Sequence, residues 1–202
     1  MNGFKQLLIT GIVWITALPV FGQTQTRKYD IEVAGLRIGN MHITQTSSPT
    51  ALVYDLISDV EFWFFGKIKV YYKTVSRHDP ATRQLLRSDT DAKTSRGNYQ
   101  TDIVWQNGRY DINANQYKYQ RKATDSQPIE FTISRLYFEE PVGLNRVFAE
   151  YFGNYASVEP TKKGSYRVRI DDREDEYFYE KGQLVRIVKK NPIKNYTIRR
   201  VE

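Results

Sequence analysis

Apolar and polar side chains alternate along most of this chain, which is the pattern of half-buried β-strands. Between residues 52 and 75 the apolar side chains take even positions and the charged ones odd positions: Val60, Phe62, Phe64, Ile68, Val70 and Tyr72 against Glu61, Lys67, Lys69 and Lys73. Asn107-Gly108 lies between two such alternating runs and is the strongest of several hairpin signals. The spacing of the turns predicts about a dozen short strands in an up-and-down antiparallel meander.

One stretch has a different period. Apolar side chains recur there at the spacing of an amphipathic helix, at Leu144, Val147, Phe148, Tyr151 and Phe152. Pro141 suits the first helical turn, where its missing amide costs nothing, and Gly153 suits a C-terminal stop. The pattern predicts one short helix over residues 142–152, packed against the concave face of a curved sheet.

The N-terminal residues predict export. Lys5 precedes an apolar run from Leu7 to Leu18, and small residues follow at Val20 and Gly22. This is the pattern of a signal peptide over residues 1–22, cut before Gln23, with an uncleaved anchor as the alternative. The run is shorter than the roughly 20 residues of a transmembrane helix. We therefore expect a single β domain over residues 23–202, periplasmic or secreted, with no transmembrane span.

Net charge and cysteine content narrow the possible partners and functions only slightly. The chain has a formal net charge of +7 and no cysteine. A basic exported protein can lie against anionic lipid or acidic glycan, but scattered lysines also describe an ordinary solvated surface. The lack of cysteine excludes disulfides and a thiol nucleophile, so the domain depends on its core for stability.

Three local patterns resemble a family of uncharacterised secreted bacterial proteins, a domain of unknown function. They are the opening residues 29–39 (YDIEVAGLRIG), the central residues 135–141 (RLYFEEP) and the closing residues 192–196 (PIKNY). The opening is also similar to that of a broader group of periplasmic domains of unknown function. The resemblance implies an antiparallel sheet curled into an incomplete barrel, the general shape of lipoprotein carriers and lipocalin-like binders. It implies no catalytic residue.

The sequence contains few residues in arrangements that could perform catalysis or bind a metal. His42 and His78 lie in separate segments, whereas a zinc site needs three or four nitrogen, sulfur or carboxylate ligands. The acidic run Asp171–Glu176 lacks the glycine and spacing of a calcium loop, and a solvated hairpin is the simpler interpretation. The chain contains no nucleophile elbow and no phosphate-binding glycine-rich loop. We expect no enzyme, no metal site and no cofactor.

Glu139-Glu140 is the one carboxylate pair in an informative place. Neighbours in sequence are badly placed for general acid and base roles unless the backbone bends between them. Stabilisation of a helix N-terminus is the simpler role, and a carboxylate at the mouth of a pocket is a third possibility.

The aromatic side chains are the candidate ligand-binding residues. Six lie on predicted strands or just before the predicted helix, and two lie on that helix as a lid: Phe62, Phe64, Tyr72, Trp105, Tyr137 and Phe138, with Phe148 and Phe152. They either line a cavity between sheet and helix or fill the core, which is the usual place for such residues.

These observations favour an exported, non-enzymatic carrier or sensor of an apolar, lipid-like ligand held between sheet and helix. The alternative is a pocketless interaction module, which docks another envelope protein or a glycan through the long strand around residues 67–72 and a basic face. Nucleic acid is a poor partner, since export argues against it and no basic–aromatic motif is organised for it.

Overall fold

All strands of the computed structural model belong to one antiparallel sheet. The structure describes residues 22–63, 67–162, 164–190 and 194–201. The strands are β1 (Gln23–Val33), β2 (Leu36–Ser48), β3 (Ala51–Trp63), β4 (Lys67–His78), β5 (Leu85–Thr94), β6 (Gly97–Gln106), β7 (Arg109–Gln116), β8 (Tyr119–Asp125), β9 (Arg146–Ala149), β10 (Asn154–Lys162), β11 (Ser165–Ile170), β12 (Arg173–Glu180), β13 (Gln183–Lys189) and β14 (Tyr196–Arg200). One short helix, α1 (Ile133–Leu136), lies between β8 and β9.

The strand order shows how the sheet curls. Strands that follow one another in sequence pair, except β8 with β9, and β1 also pairs with β14, so the order runs β8 to β1 and then β14 to β9. The two edge strands are therefore β8 and β9, which the chain joins through residues 126–145. The sheet is curled but not closed, and the predicted fold class, an incomplete antiparallel barrel with one short helix against its concave face, is confirmed.

Alternation along the strands explains the curl. In β3 every second residue from Leu52 to Ser58 is buried, and in β7 every second residue from Tyr110 to Gln116 is buried. One face of the sheet therefore turns inward around the core while the other meets water. The Asn107-Gly108 hairpin is confirmed, with both residues in the left-handed region that a two-residue turn requires.

The helix predicted over residues 142–152 is wrong. Residues 146–149 form β9, which pairs with β10, and α1 lies earlier, at 133–136. Val147 joins the main core cluster, whereas the adjacent Phe148 joins a second cluster on the opposite side. Because β9 is buried on both faces, its adjacent residues Val147 and Phe148 are both apolar. Adjacent apolar residues also occur on the buried face of an amphipathic helix, so the sequence pattern pointed to a helix.

The alternate turns of the meander form two rims. The mouth rim carries the turns after β1, β3, β5, β7, β9, β11 and β13, and the plug rim carries those after β2, β4, β6, β10 and β12. Residues 126–145, with α1, cover the half of the concave face nearer the plug rim, and we call them the plug.

Some predictions lie outside the described residues. Residues 1–21 are among these, so the signal peptide over 1–22 stays a prediction, and Phe64 is another. Within the described ranges, no helix has the length and apolar character needed to cross a membrane.

Candidate functional site

The plug is attached to the sheet by backbone hydrogen bonds at two places. The Leu85 amide, at the start of β5, donates to the Ile129 carbonyl at 2.7 Å. The Phe148 amide, on β9, donates to the Phe131 carbonyl at 2.9 Å. The plug therefore ties the exposed edge of β9 to a strand on the other half of the sheet, and it closes part of the gap that strand pairing leaves open.

A buried carboxylate fixes α1. One Glu150 oxygen accepts the Ile133 amide at 3.0 Å, and the other accepts the Ser134 amide at 3.1 Å and the Ser76 hydroxyl at 3.3 Å. Only 2% of Glu150 is exposed, and burial raises the pKa of its carboxyl group above the ordinary value. The carboxylate satisfies amides at the start of α1 that the helix itself leaves unpaired.

Two buried arginines hold the rest of the plug. Arg27 donates to the carbonyl of Tyr137, and its guanidinium lies 4.8 Å from the centre of the Phe138 ring. Arg135 donates to Glu139 at 2.6 Å and lies 4.4 Å from the Phe131 ring centre. Burial lowers the pKa of the Arg27 guanidinium. Arg27 therefore attaches the plug to β1, whereas Arg135 stabilises the plug from within.

Aromatic side chains fill the space between the plug and the sheet. Tyr137 packs edge-on against Tyr29 at 5.6 Å between ring centres, and Phe138 packs against Tyr54 at the same distance. The Tyr179 hydroxyl donates to the Leu136 carbonyl at 2.7 Å. The region between α1 and the sheet is therefore core.

The concave face keeps accessible side chains near the mouth rim. Asp175, Lys189 and Tyr196 are register partners on β12, β13 and β14. They share the inward face with Tyr177 and Ile187, both with no exposed surface. The Lys189 ammonium lies 2.5 Å from the Asp175 carboxylate, yet each side chain keeps 24% of its surface exposed. This inward-facing ion pair therefore lies where the core ends, close to the mouth rim, and stays partly accessible.

Two further half-buried tyrosines contact each other, one on β4 and one in the turn between β9 and β10. Tyr72 of β4 lies 6.0 Å from Tyr151, between ring centres, and both are half-buried. Tyr72 and Tyr196 both pack against the main core cluster, so β4 and β14 border the same core. We name Tyr72, Tyr151, Asp175, Lys189 and Tyr196 the tyrosine mouth.

The chemistry of the tyrosine mouth suits binding. Burial raises the pKa of the Tyr72 and Tyr196 phenols, so both stay protonated at neutral pH and can donate hydrogen bonds. Burial lowers the pKa of the Lys189 ammonium, but the Asp175 carboxylate and neighbouring groups outweigh this and the net pKa is raised. The mouth thus offers aromatic faces, hydroxyl donors and a permanent cation.

The predicted site residues do not converge on one cavity. Tyr72 lines the mouth, while Tyr137 and Phe138 belong to the main core cluster. Trp105 and Phe148 belong to the second cluster, with Trp105 4.6 Å from Tyr110. Phe152 contacts Tyr119 and Tyr151, and Phe62 is half-buried on β3; Phe64 lies outside the described residues.

The sequence analysis missed four residues of the tyrosine mouth: Asp175, Lys189, Tyr151 and Tyr196. One of these residues could have been found from the alternation of its strand. Asp175 lies two and four residues before Tyr177 and Tyr179, so it lies on the same, apolar face of β12. Glu140 receives a hydrogen bond from the Tyr166 hydroxyl at 2.8 Å, and Glu139 binds Arg135, so this carboxylate pair has structural partners. Within the described ranges, no group of three or more histidine and acidic side chains could hold a metal.

Two wide grooves lie on the outer face of the sheet. One is about 550 Å³ and is lined by Asp59, Lys69, Tyr71 and Lys93, and the other is about 790 Å³ and runs over β5 to β8. Both are shallow and lined largely by charged or polar side chains. Neither has the apolar lining of a carrier pocket.

A family model matches residues 29–201. The chain belongs to DUF6134, a family described as a domain of unknown function. No curated protein matches the chain. Among solved structures it is similar to a beta-barrel-like protein of the domain of unknown function DUF1849 from Brucella abortus, at 10% identity and a TM-score of 0.55. The match covers 90% of this chain and 97% of the other. At that identity the likeness concerns the fold alone.

Proposed function

We propose that the chain is an exported, non-catalytic binding protein that holds a small amphipathic molecule in the tyrosine mouth. The observation that carries this proposal is the Lys189–Asp175 pair, which faces inward among core residues and still keeps 24% of each side chain accessible. The sequence analysis expected the ligand between sheet and helix, but core side chains fill that space, so the proposed binding place is at the mouth rim.

The mouth specifies the chemistry of the ligand. Tyr72, Tyr151 and Tyr196 present ring faces for an apolar or aromatic body. The Lys189 ammonium presents a cation for a carboxylate or a similar anionic head group, which would share the ammonium with Asp175. Fatty acids and other apolar carboxylates combine these two features.

Lys189→Met tests the proposal with a fluorescent fatty acid as the probe. A hydrogen bond to a charged group contributes about 1.5–3 kcal/mol, so we expect Kd to rise roughly 10- to 100-fold. Lys189→Arg should keep most of the affinity because it keeps the charge. Lys190→Met is the matched control, since Lys190 is 54% exposed and binds Glu174 outside the mouth.

Two results would contradict the proposal. One is a parent protein that takes up no probe, and the other is an equal loss of affinity in Lys189→Met and Lys190→Met. Melting temperatures measured alongside separate lost binding from lost folding, because Lys189→Met leaves the Asp175 carboxylate without its cation.

Export is the second part of the proposal. Its support is the sequence pattern of Lys5, the apolar run Leu7–Leu18 and small residues at Val20 and Gly22. Expression of the full chain in a bacterium, followed by N-terminal sequencing of the envelope fraction, should give a protein that begins at Gln23. Recovery of an intact N-terminus in the cytoplasm would contradict export.

A further inference from the structure

The mouth rim carries large apolar side chains in water. Among the described residues, four large apolar side chains are at least half exposed: Leu36 at 72%, Trp63 at 79%, Val142 at 71% and Val201 at 53%. Leu36 and Trp63, the two most exposed, lie at the ends of the neighbouring hairpins β1–β2 and β3–β4, both at the mouth rim, whereas Val201 follows β14 at the plug rim and Val142 lies in the plug. Tryptophan is enriched where proteins meet the interface of a bilayer.

Topology places basic side chains around these two. The β5–β6 and β7–β8 hairpins carry the exposed residues Lys93, Arg96 and Lys118 beside their mouth-rim turns. The acidic residues of the β1–β2 hairpin, Asp30 and Glu32, form ion pairs with Arg37 at 2.9 Å and Arg199 at 3.4 Å. This sector of the rim is therefore both apolar and positive.

The positive bias belongs to this sector and not to the whole mouth rim, because the β11–β12 turn carries the exposed acidic residues Asp171 and Asp172. At or beside the turns of the plug rim, acidic and basic side chains mix: Asp79, Asp125, Glu130 and Glu180 with Arg83, Arg109 and Lys181. The basic sector cannot be seen in the sequence, because only the alternation of turns brings Lys93, Arg96 and Lys118 to the same end of the sheet.

We propose that the mouth rim docks on an anionic lipid bilayer, with Leu36 and Trp63 in the interface and Lys93, Arg96 and Lys118 against the head groups. Apolar insertion and attraction to anionic lipid act together in interfacial binding. An acidic glycan would also attract the basic residues, but it gives no reason for an exposed tryptophan and leucine at the same end. The tyrosine mouth opens at this rim, so docking would bring it next to the membrane.

Vesicle binding tests the docking. Protein beginning at Gln23 contains every strand of the sheet and excludes the apolar run at residues 7–18, which would bind lipid by itself. We expect it to float with phosphatidylcholine vesicles that contain about a third phosphatidylglycerol, and to bind pure phosphatidylcholine much more weakly. High salt should reduce the binding because it screens the exposed charges. Equal binding to both compositions would overturn the proposal.

Matched charge variants locate the docking face. Lys93→Gln with Lys118→Gln removes two positive charges from the mouth rim, and Arg109→Gln with Lys181→Gln removes two from the plug rim. Each basic side chain near an anionic surface changes the partition coefficient about fivefold, so the first pair should lower it about 25-fold and the second less than about 2-fold. An equal effect of the two pairs would refute a directed docking face.

Trp63 reports its own environment. In a Trp105→Phe background the protein that begins at Gln23 keeps Trp63 as its one tryptophan. Its emission should shift to the blue on anionic vesicles and be quenched by brominated lipid tails. Trp63→Ser should weaken vesicle binding while leaving binding to the soluble polyanion dextran sulfate unchanged. An unshifted emission, or equal loss on vesicles and polyanion, would overturn insertion.

Discussion

Replacing Glu150 tests whether the plug depends on one buried carboxylate. Glu150 lies in the turn between β9 and β10 and accepts the Ile133 and Ser134 amides at the start of α1. Glu150→Ala removes both acceptors. Glu150→Gln keeps one acceptor oxygen in a side chain of nearly the same shape.

The magnitude follows from these contacts. A buried donor that loses its partner costs about 1–3 kcal/mol, which gives roughly 2–6 kcal/mol for the two amides. Removing a buried carboxylate recovers part of this, because burial disfavours its charged form. We therefore expect Glu150→Ala to lower the free energy of unfolding by about 3 kcal/mol and Glu150→Gln by about 1 kcal/mol.

Urea unfolding monitored by tryptophan fluorescence measures these differences. Trp105 packs beside the second core cluster and reports loss of the plug region. For a domain of this size about 3 kcal/mol corresponds to a decrease of roughly 6–12 °C in Tm. Glu159→Ala is the control, since Glu159 is 52% exposed and should change stability by less than about 0.5 kcal/mol.

Two outcomes would refute this reasoning. Glu150→Ala within about 1 kcal/mol of the parent would mean that α1 finds other acceptors. A loss in Glu150→Gln as large as in Glu150→Ala would mean that the charge, and not the acceptor geometry, holds the plug.

Three further predictions concern the core, the pH dependence and one turn. Phe148→Ala should lower the free energy of unfolding by about 3–5 kcal/mol, because Phe148 is only 1% exposed. Phe152→Ala should lower it clearly less, because Phe152 is half-buried, and equal urea midpoints for the two variants would contradict this. Burial lowers the pKa of His78 from 6.5 to about 4. The neutral imidazole therefore contributes fully to stability above pH 6.5, and this contribution decreases by up to about 3 kcal/mol as the pH falls to 4. His78→Gln should make Tm less dependent on pH over this range, and an unchanged dependence of Tm on pH would refute the prediction. Gly153 and Gly108 both have a positive φ, +60° and +77°, but a methyl group at Gly153 would lie 2.5 Å from the Ile112 side chain of β7, whereas one at Gly108 would meet nothing within 4 Å. Gly153→Ala should therefore be more destabilising than Gly108→Ala by about 1–2 kcal/mol, and equal melting temperatures for the two variants would contradict this.

The local pattern of the chain was enough to predict the class of fold. Alternation depends only on which face of a strand meets water, and hairpins such as Asn107-Gly108 depend on the φ angles of their own residues. Both are properties of a few neighbouring residues, so they can be seen in the sequence. The antiparallel order of the strands follows from them, whereas the incomplete barrel was implied by the family resemblance.

The stretch around Val147 and Phe148 shows where local pattern fails. The two side chains enter different core clusters on opposite sides of β9, and a one-dimensional pattern cannot distinguish such two-sided burial from one face of a helix. The plug decides between them, because the Phe131 carbonyl binds the Phe148 amide and keeps this segment extended.

The sequence by itself therefore determined most of the strands and turns and their antiparallel order, but not β9. Only the tertiary structure decided which inward-facing residues become core and which stay accessible. Tyr137 and Lys189 both face the interior, but the plug occupies the space around the first and ends before the second. That difference depends on how far residues 126–145 extend across the concave face, which is set by contacts between segments distant in sequence from one another, such as Ser76 and Ser134 with Glu150.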